Sequence, residues 1–90
     1  MNCLSVKTGV VVQHFKRELA DVTKNPNAYL YIINGTVINT DTDETMVIYT
    51  ALYAPFKAYA RPLKEFCSLV DKEKYPWIKQ KERFKKYQAE

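Results

Sequence analysis

Apolar and polar residues over the first two thirds of the chain fall into short runs, which is the pattern of strands rather than of long helices. The longest apolar and aromatic run, residues 46–66, predicts the central strand over 45–53, a second strand over 56–61 and a helix that begins after Pro62. Both sides of the strand 45–53 are apolar or aromatic, as in a barrel strand or a strand beneath a helix.

Two strand-like runs precede this block. Residues 9–13 are β-branched and open with a glycine, and residues 28–39 are strand-like throughout. Residues 34–35, Asn-Gly, form either a hairpin turn or a bulge in one long bent strand. We favour the bulge. If residues 34–35 were a hairpin turn, the next turn signal at residues 41–44 would leave only a very short strand, 36–39, between the two turns. Residues 17–22 are long enough for one helical turn.

The C-terminal third begins with the helix after Pro62. Its apolar face is predicted from four residues at i, i+3, i+4 and i+7, namely Leu63, Phe66, Cys67 and Val70. Trp77 and Ile78 are expected to pack back on the domain. The charged residues 79–90 fit a helix or a last strand with Phe84 inward about equally well. The predicted fold class is mostly β with this one short helix.

The chain of 90 residues predicts a single domain, 1–90, with its core over residues 9–78 and a basic C-terminal tail. No apolar run is long enough for a membrane helix, and the first residues do not resemble a signal peptide, so we expect a cytoplasmic protein without a membrane partner. The two cysteines, Cys3 and Cys67, are then expected to be reduced thiols.

Sequence signatures of common enzymes and cofactor sites are missing. There is no nucleophile elbow, P-loop or dinucleotide fingerprint, and the chain has one histidine, two cysteines and two glycines. Acidic residues cluster at 41–44, which is the pattern of a solvated hairpin tip. We therefore expect no cofactor, no metal site and no enzymatic activity.

The net charge is +4, and most of the basic excess lies near the C-terminus. Residues 1–70 carry seven basic and six acidic side chains, a balance of +1, whereas residues 71–90 carry seven and four, a balance of +3. This distribution permits a phosphate-bearing partner without requiring one.

Tyrosines and basic residues recur together along the predicted strands. Such sets stack on nucleobases and bind phosphates, and they also form protein interfaces. The candidate ligand-binding residues are His14, Lys16, Tyr49, Tyr53, Phe56, Tyr59 and Arg61. The tyrosines have an alternative interpretation as parts of a thin core. His14 likewise either bonds the backbone and fixes a turn or donates to an anion beside Lys16.

Several motifs together resemble the small bacterial domain-of-unknown-function family 1653. They are VQHFK at 12–16, YTALY at 49–53 and ARP at 60–62 with Phe66, while the tail 70–84 is similar to members from some Gram-positive bacteria and their phages. The resemblance covers about residues 9–87. It implies an antiparallel β-domain of the SH3-like or small-barrel kind, a bulge at Gly35, and no established activity or catalytic residues.

This sequence departs from the family pattern at several positions. Asn39 replaces a common histidine, Arg17 a common glycine and Glu65 a usual methionine, so any role of a histidine at position 39 is absent here. The segment 17–27 is also longer than in short members of the family.

Three functional hypotheses remain. The first is a non-enzymatic module that binds a nucleotide or short nucleic acid, such as a phage-encoded protein that sequesters a nucleotide. The second is an adaptor that binds a protein partner, or a second copy of itself, through an SH3-like groove or a strand edge. The third is a nucleotide-directed enzyme with His14 as its base.

Overall fold

Five strands form one antiparallel sheet in the computed structural model, which describes residues 6–88. The strands are β1 (Val11–His14), β2 (Leu30–Ile38), β3 (Thr45–Ala51), β4 (Ala58–Pro62) and β5 (Phe84–Lys86), in the spatial order β4-β3-β2-β1-β5. A 3-10 helix, Phe15–Leu19, follows β1, and a short helix α1, Leu63–Phe66, follows β4. The mostly β class with a helix after Pro62 is confirmed, although β2 rather than β3 lies at the centre.

The bulge predicted at Asn34-Gly35 is confirmed. In the β2–β3 pair Ile33 lies opposite Tyr49 and Gly35 lies opposite Ile48, so Asn34 is an extra residue in β2. Its side-chain oxygen accepts a hydrogen bond from the Thr50 hydroxyl at 2.6 Å. Gly35 has φ of 150°, a conformation that glycine adopts more readily than other residues. The bulge therefore bends one continuous strand.

The sheet is not closed by pairing of its edge strands, so the SH3-like barrel is not confirmed. The chain after α1 instead pairs with the chain before β5, where Leu69 lies opposite Glu82 and the Arg83 N–H donates to the Ser68 carbonyl at 2.9 Å. Phe66 of α1 stacks on Phe84 of β5, with ring centroids 4.2 Å apart. These contacts connect the β4 end of the sheet to its β5 end.

The core lies on the side of the sheet that carries α1. Its buried members are Val12, Tyr31, Ile33, Val47, Tyr49, Ala51, Phe66 and Phe84. A smaller cluster joins Phe15 and Val70 with Ile78, which packs inward as predicted. Residues 84–86 form a strand, so this part of the tail is a strand rather than a helix, and Phe84 is buried.

Three further sequence expectations are wrong. The helix ends at Phe66 and does not reach Val70, because the chain turns to pair with residues 81–83. Trp77 is 61% exposed rather than packed on the domain. Cys67 is disulfide-bonded rather than a reduced thiol, while the expectation for Cys3 lies outside the described residues.

Gln80 connects the tail to β1 through a buried amide. Its side chain is almost fully buried and donates to the Gln13 carbonyl at 3.2 Å and the Glu82 carbonyl at 2.8 Å. Its side-chain oxygen accepts from the Gln13 amide at 3.1 Å. The amide thus satisfies polar groups of two segments that lie far apart in the sequence.

We expect Gln80→Ala to lower the free energy of unfolding by about 2 kcal/mol, because it leaves buried carbonyl groups without donors. Urea unfolding followed by circular dichroism measures the difference. The matched control is Gln88→Ala, an exposed glutamine, which should change stability by less than about 0.5 kcal/mol. Equal effects of the two substitutions would contradict the structural role of the Gln80 amide.

Candidate functional site

A cleft of about 220 Å³ opens where the ends of several strands meet. We call it the aromatic cleft, and its lining residues are His14, Lys16, Tyr29, Tyr31, Tyr49, Tyr59, Arg61 and Phe84. The sheet register explains this assembly, because His14 lies opposite Phe84 and Tyr49 lies opposite Tyr59. Directly opposite residues of an antiparallel pair project from the same face, so the rings collect on one side of the sheet.

A second cleft, of about 360 Å³, adjoins the first. We call it the cationic cleft, and it is lined by His14, Phe15, Lys16, Arg61, Val70, Asp71, Lys74, Tyr75 and Arg83. The two clefts share His14, Lys16 and Arg61. An aromatic surface therefore borders directly on a surface that carries four cationic side chains and one carboxylate.

The floor of the aromatic cleft is buried, whereas its rim is accessible. Tyr31, Tyr49 and Phe84 are almost fully buried. Burial, with a 2.7 Å hydrogen bond between the Tyr31 and Tyr53 hydroxyls, raises the pKa of Tyr31, so this hydroxyl stays protonated. Tyr59 is 41% exposed and stacks on Tyr49 at a centroid distance of 5.7 Å. Tyr59 thus offers an accessible ring to a ligand.

His14 lies at the junction of the two clefts and is fixed there by the backbone. Its Nδ1 accepts a hydrogen bond from the Lys16 backbone N–H at 3.1 Å, which caps the 3-10 helix. Its ring packs against Phe15 and Phe84, with centroids 4.4 and 5.0 Å away. Because Nδ1 is an acceptor, the neutral ring carries its proton on Nε2.

The electrostatics of the junction oppose a charge on His14. Burial, followed by the positive charges of Lys16, Arg83 and Arg61, lowers the pKa of His14 from 6.5 to about 3. The imidazole is therefore neutral at physiological pH and available as a hydrogen-bond donor through Nε2. The same effect shows that three cationic side chains act on this one point of the surface.

The pKa of His14 predicts a pH dependence of folding. Because its pKa is lower in the folded than in the unfolded chain, the unfolded state takes up a proton as the pH falls below 6.5, while the folded state does not until near pH 3. We expect the free energy of unfolding to drop by about 2 kcal/mol between pH 7 and pH 5.

The control for this prediction is His14→Gln, whose stability should be nearly flat over the same interval. The pKa of Glu18 is also lowered: although partial burial raises it, the backbone N–H groups of Lys79 and Gln80 outweigh that effect. Its contribution is lost only below its ordinary value of 4.5, so it lies outside the pH 7 to 5 window. An unchanged slope in His14→Gln would show that another group is responsible.

Both arginines of the cationic cleft are oriented by side-chain contacts. The Arg61 Nε donates to the Tyr49 hydroxyl at 3.3 Å, and the Arg61 guanidinium lies 3.6 Å from the Glu65 carboxylate. The Arg83 Nε donates to the Ser68 hydroxyl at 3.0 Å. Lys16 makes no side-chain hydrogen bond or ion pair within residues 6–88. The cleft thus holds two oriented arginines, of which Arg61 is paired with Glu65, and a lysine without a carboxylate partner in the described part of the chain.

The structure brings together five of the seven residues proposed from the sequence: His14, Lys16, Tyr49, Tyr59 and Arg61. It does not place the other two in either cleft. Tyr53 lies behind the aromatic floor, against the rings of Tyr29 and Tyr31. Phe56 is 62% exposed in the loop before β4.

The seven candidate residues omit several that line the clefts: Lys74, Arg83, Phe84 and, although they belong to the same aromatic and basic set, Tyr29 and Tyr31. The two tyrosines belong to the aromatic strand pattern but carried no sign of which face they occupy. Arg83 and Phe84 reach the site because β5 pairs with β1, a contact that spans about 70 positions of the sequence, whereas Lys74 lies in the turn held by Asp71. The inward Phe84 was the one available signal.

The described residues include neither a metal-binding cluster nor a membrane-spanning helix. Within residues 6–88 no group of three or more histidine, cysteine, aspartate or glutamate side chains is placed to hold a metal ion. In the same part of the chain no helix has the length and apolar character required to cross a bilayer.

Comparison with known proteins identifies the family. The model of the family "Protein of unknown function (DUF1653)" matches residues 11–86, and the chain therefore belongs to this family. Searches of curated proteins and of solved structures found no match.

Proposed function

We propose that this member of the DUF1653 family is a non-enzymatic module that binds a nucleotide or the end of a short nucleic acid. The observation that carries the proposal is the adjacency of the aromatic and cationic clefts, which share His14, Lys16 and Arg61. A nucleotide has the same division, with an aromatic base at one end and a phosphate at the other.

The aromatic cleft suits a base because stacking on aromatic side chains tolerates any nucleobase. Tyr59 provides the accessible ring, and the buried rings of Tyr31 and Tyr49 beneath it give a dry floor. The Lys16 and Arg61 cations at this cleft disfavour a cationic ligand such as a methylated ammonium group, although aromatic rings alone would attract one.

The cationic cleft suits a phosphate. Arginine side chains bind phosphate through paired N–H groups, and lysine supplies a point charge. Lys16 and Arg61 lie on the boundary between the clefts, so they can contact a phosphate whose base occupies the aromatic side. The volumes of about 220 and 360 Å³ suit a small ligand, since typical ligand sites measure roughly 300–1,000 Å³.

The properties of His14 support binding rather than catalysis. A general base works best when its pKa lies near the operating pH, whereas the pKa of His14 is lowered to about 3 by burial and by the neighbouring cations. His14 is moreover fixed by the hydrogen bond to the Lys16 N–H. Its role in the proposal is to donate from Nε2 to the ligand.

Isothermal titration calorimetry tests the proposal with nucleoside 5′-monophosphates, nucleosides and inorganic phosphate. We expect one or more monophosphates to bind with one ligand per chain, and Tyr59→Ala to weaken binding about tenfold or more, because a stacked base contributes about 1–3 kcal/mol. Phe56→Ala is the matched control, since this exposed ring lies outside both clefts. No binding by any monophosphate, or equal losses in both variants, would refute the proposal.

A second candidate function is binding of an extended peptide along β4. One observation favours it: within the described residues β4 pairs only with β3, and Ala58, Tyr59 and Ala60 are exposed along this edge. An edge strand can accept another strand by main-chain hydrogen bonds. A Pro substitution at Ala60 would then abolish peptide binding while leaving nucleotide binding intact.

A further inference from the structure

The cationic cleft carries more positive charge than a single negative charge would balance. Its lining includes the cations Lys16, Arg61, Lys74 and Arg83 but one carboxylate, Asp71. That carboxylate also accepts the backbone N–H groups of Glu73 and Lys74 at 3.0 and 3.4 Å, so it holds a turn. With His14 neutral, the lining has a formal charge of +3, and the Glu65 carboxylate just outside it, 3.6 Å from the Arg61 guanidinium, lowers this to +2.

The cations also retain unused hydrogen-bond donors. Arg83 is anchored through Nε to Ser68, which leaves its terminal nitrogens without an acceptor in the described part of the chain. Lys74 contacts the face of Tyr75, with its Nζ 5.6 Å from the ring centroid, and has no carboxylate partner among residues 6–88. Lys74 lies in the segment that follows α1, and Arg83 lies directly before β5, so their donors reach the cleft from two segments of the chain.

Another described cleft also carries two lysines. It is lined by Gln13, Lys85, Lys86 and Gln88, and it shares no residue with the cationic cleft. Lys85 lies opposite Gln13 in the β1–β5 pair, next to the His14–Phe84 pair, and so projects from the opposite face of the sheet, whereas Lys86 shares the face of Phe84. The four cations of the cationic cleft therefore form one phosphate site, with which this other cleft shares no residue.

We infer that the ligand presents a terminal phosphate monoester to the cationic cleft, and not the phosphodiester linkage of an internal nucleotide. This inference rests on the proposed nucleotide function and specifies its ligand class. A monoester carries a charge of about −1.5 to −2 at pH 7 and three acceptor oxygens, whereas a diester carries a single charge and two such oxygens. The monoester thus matches both the charge and the donors of the cleft.

The test is calorimetry at constant ionic strength with adenosine, adenosine 5′-monophosphate, its methyl ester and 3′,5′-cyclic adenosine monophosphate. Two tetranucleotides, with and without a 5′-phosphate, complete the set. We expect the monophosphate to bind at least tenfold more tightly than its methyl ester and the cyclic diester. Lys74→Ala should remove most of this difference, and the matched control Lys85→Ala should preserve it.

The outcomes separate the inference from the proposed function. Equal affinity for the monophosphate and its methyl ester would overturn the monoester inference while leaving nucleotide binding intact. Absence of binding by every compound would overturn both. A 5′-phosphorylated tetranucleotide that binds more tightly than the mononucleotide would identify a strand end as the source of the monoester, and the reverse order would identify a free nucleotide.

Discussion

Replacing Lys16 or Arg61 by alanine should each weaken nucleotide binding about 10-fold to 100-fold, because a hydrogen bond to a charged group contributes about 1.5–3 kcal/mol. Both side chains line both clefts, so each can reach the phosphate of a ligand whose base is stacked nearby. Titration of each variant with adenosine 5′-monophosphate measures the loss. Arg61→Lys should recover only part of the affinity, because lysine lacks the paired donors of arginine.

The controls for these substitutions are Lys57→Ala and Lys64→Ala, which remove exposed lysines that line neither cleft. They should leave the affinity within about twofold of the wild type, since distant exposed charges are screened by salt. Unfolding of each variant is measured in parallel, so that loss of the Arg61 hydrogen bond to Tyr49 is separated from loss of a ligand contact. If Lys57→Ala and Lys16→Ala weakened the affinity equally, net charge alone would explain the loss, and this result would contradict a defined phosphate site.

Replacing Phe66 by alanine should lower the free energy of unfolding by about 3–5 kcal/mol, the usual cost of truncating a buried aromatic side chain. Phe66 is fully buried, stacks on Phe84 at 4.2 Å and meets the Tyr49 ring at 5.4 Å. It therefore joins the β4 end of the sheet to the β5 end. A loss of this size is a large share of the stability of a 90-residue domain, so part of the variant should be unfolded at 37 °C.

Urea unfolding measures this effect, and Phe66→Leu is the variant that keeps most of the buried volume and should cost markedly less. The matched control is Phe56→Ala, which removes the same side chain from an exposed position and should cost little. A small effect of Phe66→Ala would mean that the two ends of the sheet are held together by the pairing of residues 68–70 with 81–83 alone.

The strands were predictable because local patterns specify them. β-branched and aromatic runs located β1 to β4, and the distance between two turn signals was sufficient to place a bulge at Asn34. Pro62 located the start of α1, since proline suits the beginning of a helix. Each of these features is specified by residues that lie close together in the sequence, so it could be predicted from the sequence alone.

Long-range pairing accounts for what the sequence did not show. The i, i+3, i+4, i+7 pattern up to Val70 suggested a longer helix, but Val70 donates instead to the Lys81 carbonyl at 2.8 Å. Trp77 is exposed although it is the largest apolar side chain, because Ile78 next to it fills the inward position. Helical periodicity and a single large residue are weak evidence when a strand-like contact competes for the same segment.

The candidate site was likewise only partly predictable from the sequence. Five of its residues were predictable, because aromatic and basic residues recur near strand ends that meet in a small sheet. They are His14, Lys16, Tyr49, Tyr59 and Arg61. The contribution of the tail was not predictable, since it depends on the β1–β5 pair and on the Gln80 amide that fixes the tail to β1. The cationic cleft exists only once this pairing brings Arg83 beside Lys16 and Arg61.

A nucleotide site in these clefts is tested most directly by titrating ¹⁵N-labelled protein with adenosine 5′-monophosphate and following the amides by two-dimensional NMR. Binding at the two clefts should give saturable shifts of the amides of His14, Lys16, Tyr59, Arg61 and Arg83, and small shifts at Val37 and Gln88, which line neither cleft. Shifts confined to the exposed β4 edge would favour the peptide-binding alternative. No saturable shift at His14, Lys16 or Arg61 at millimolar ligand would contradict the proposal that these clefts form a nucleotide site.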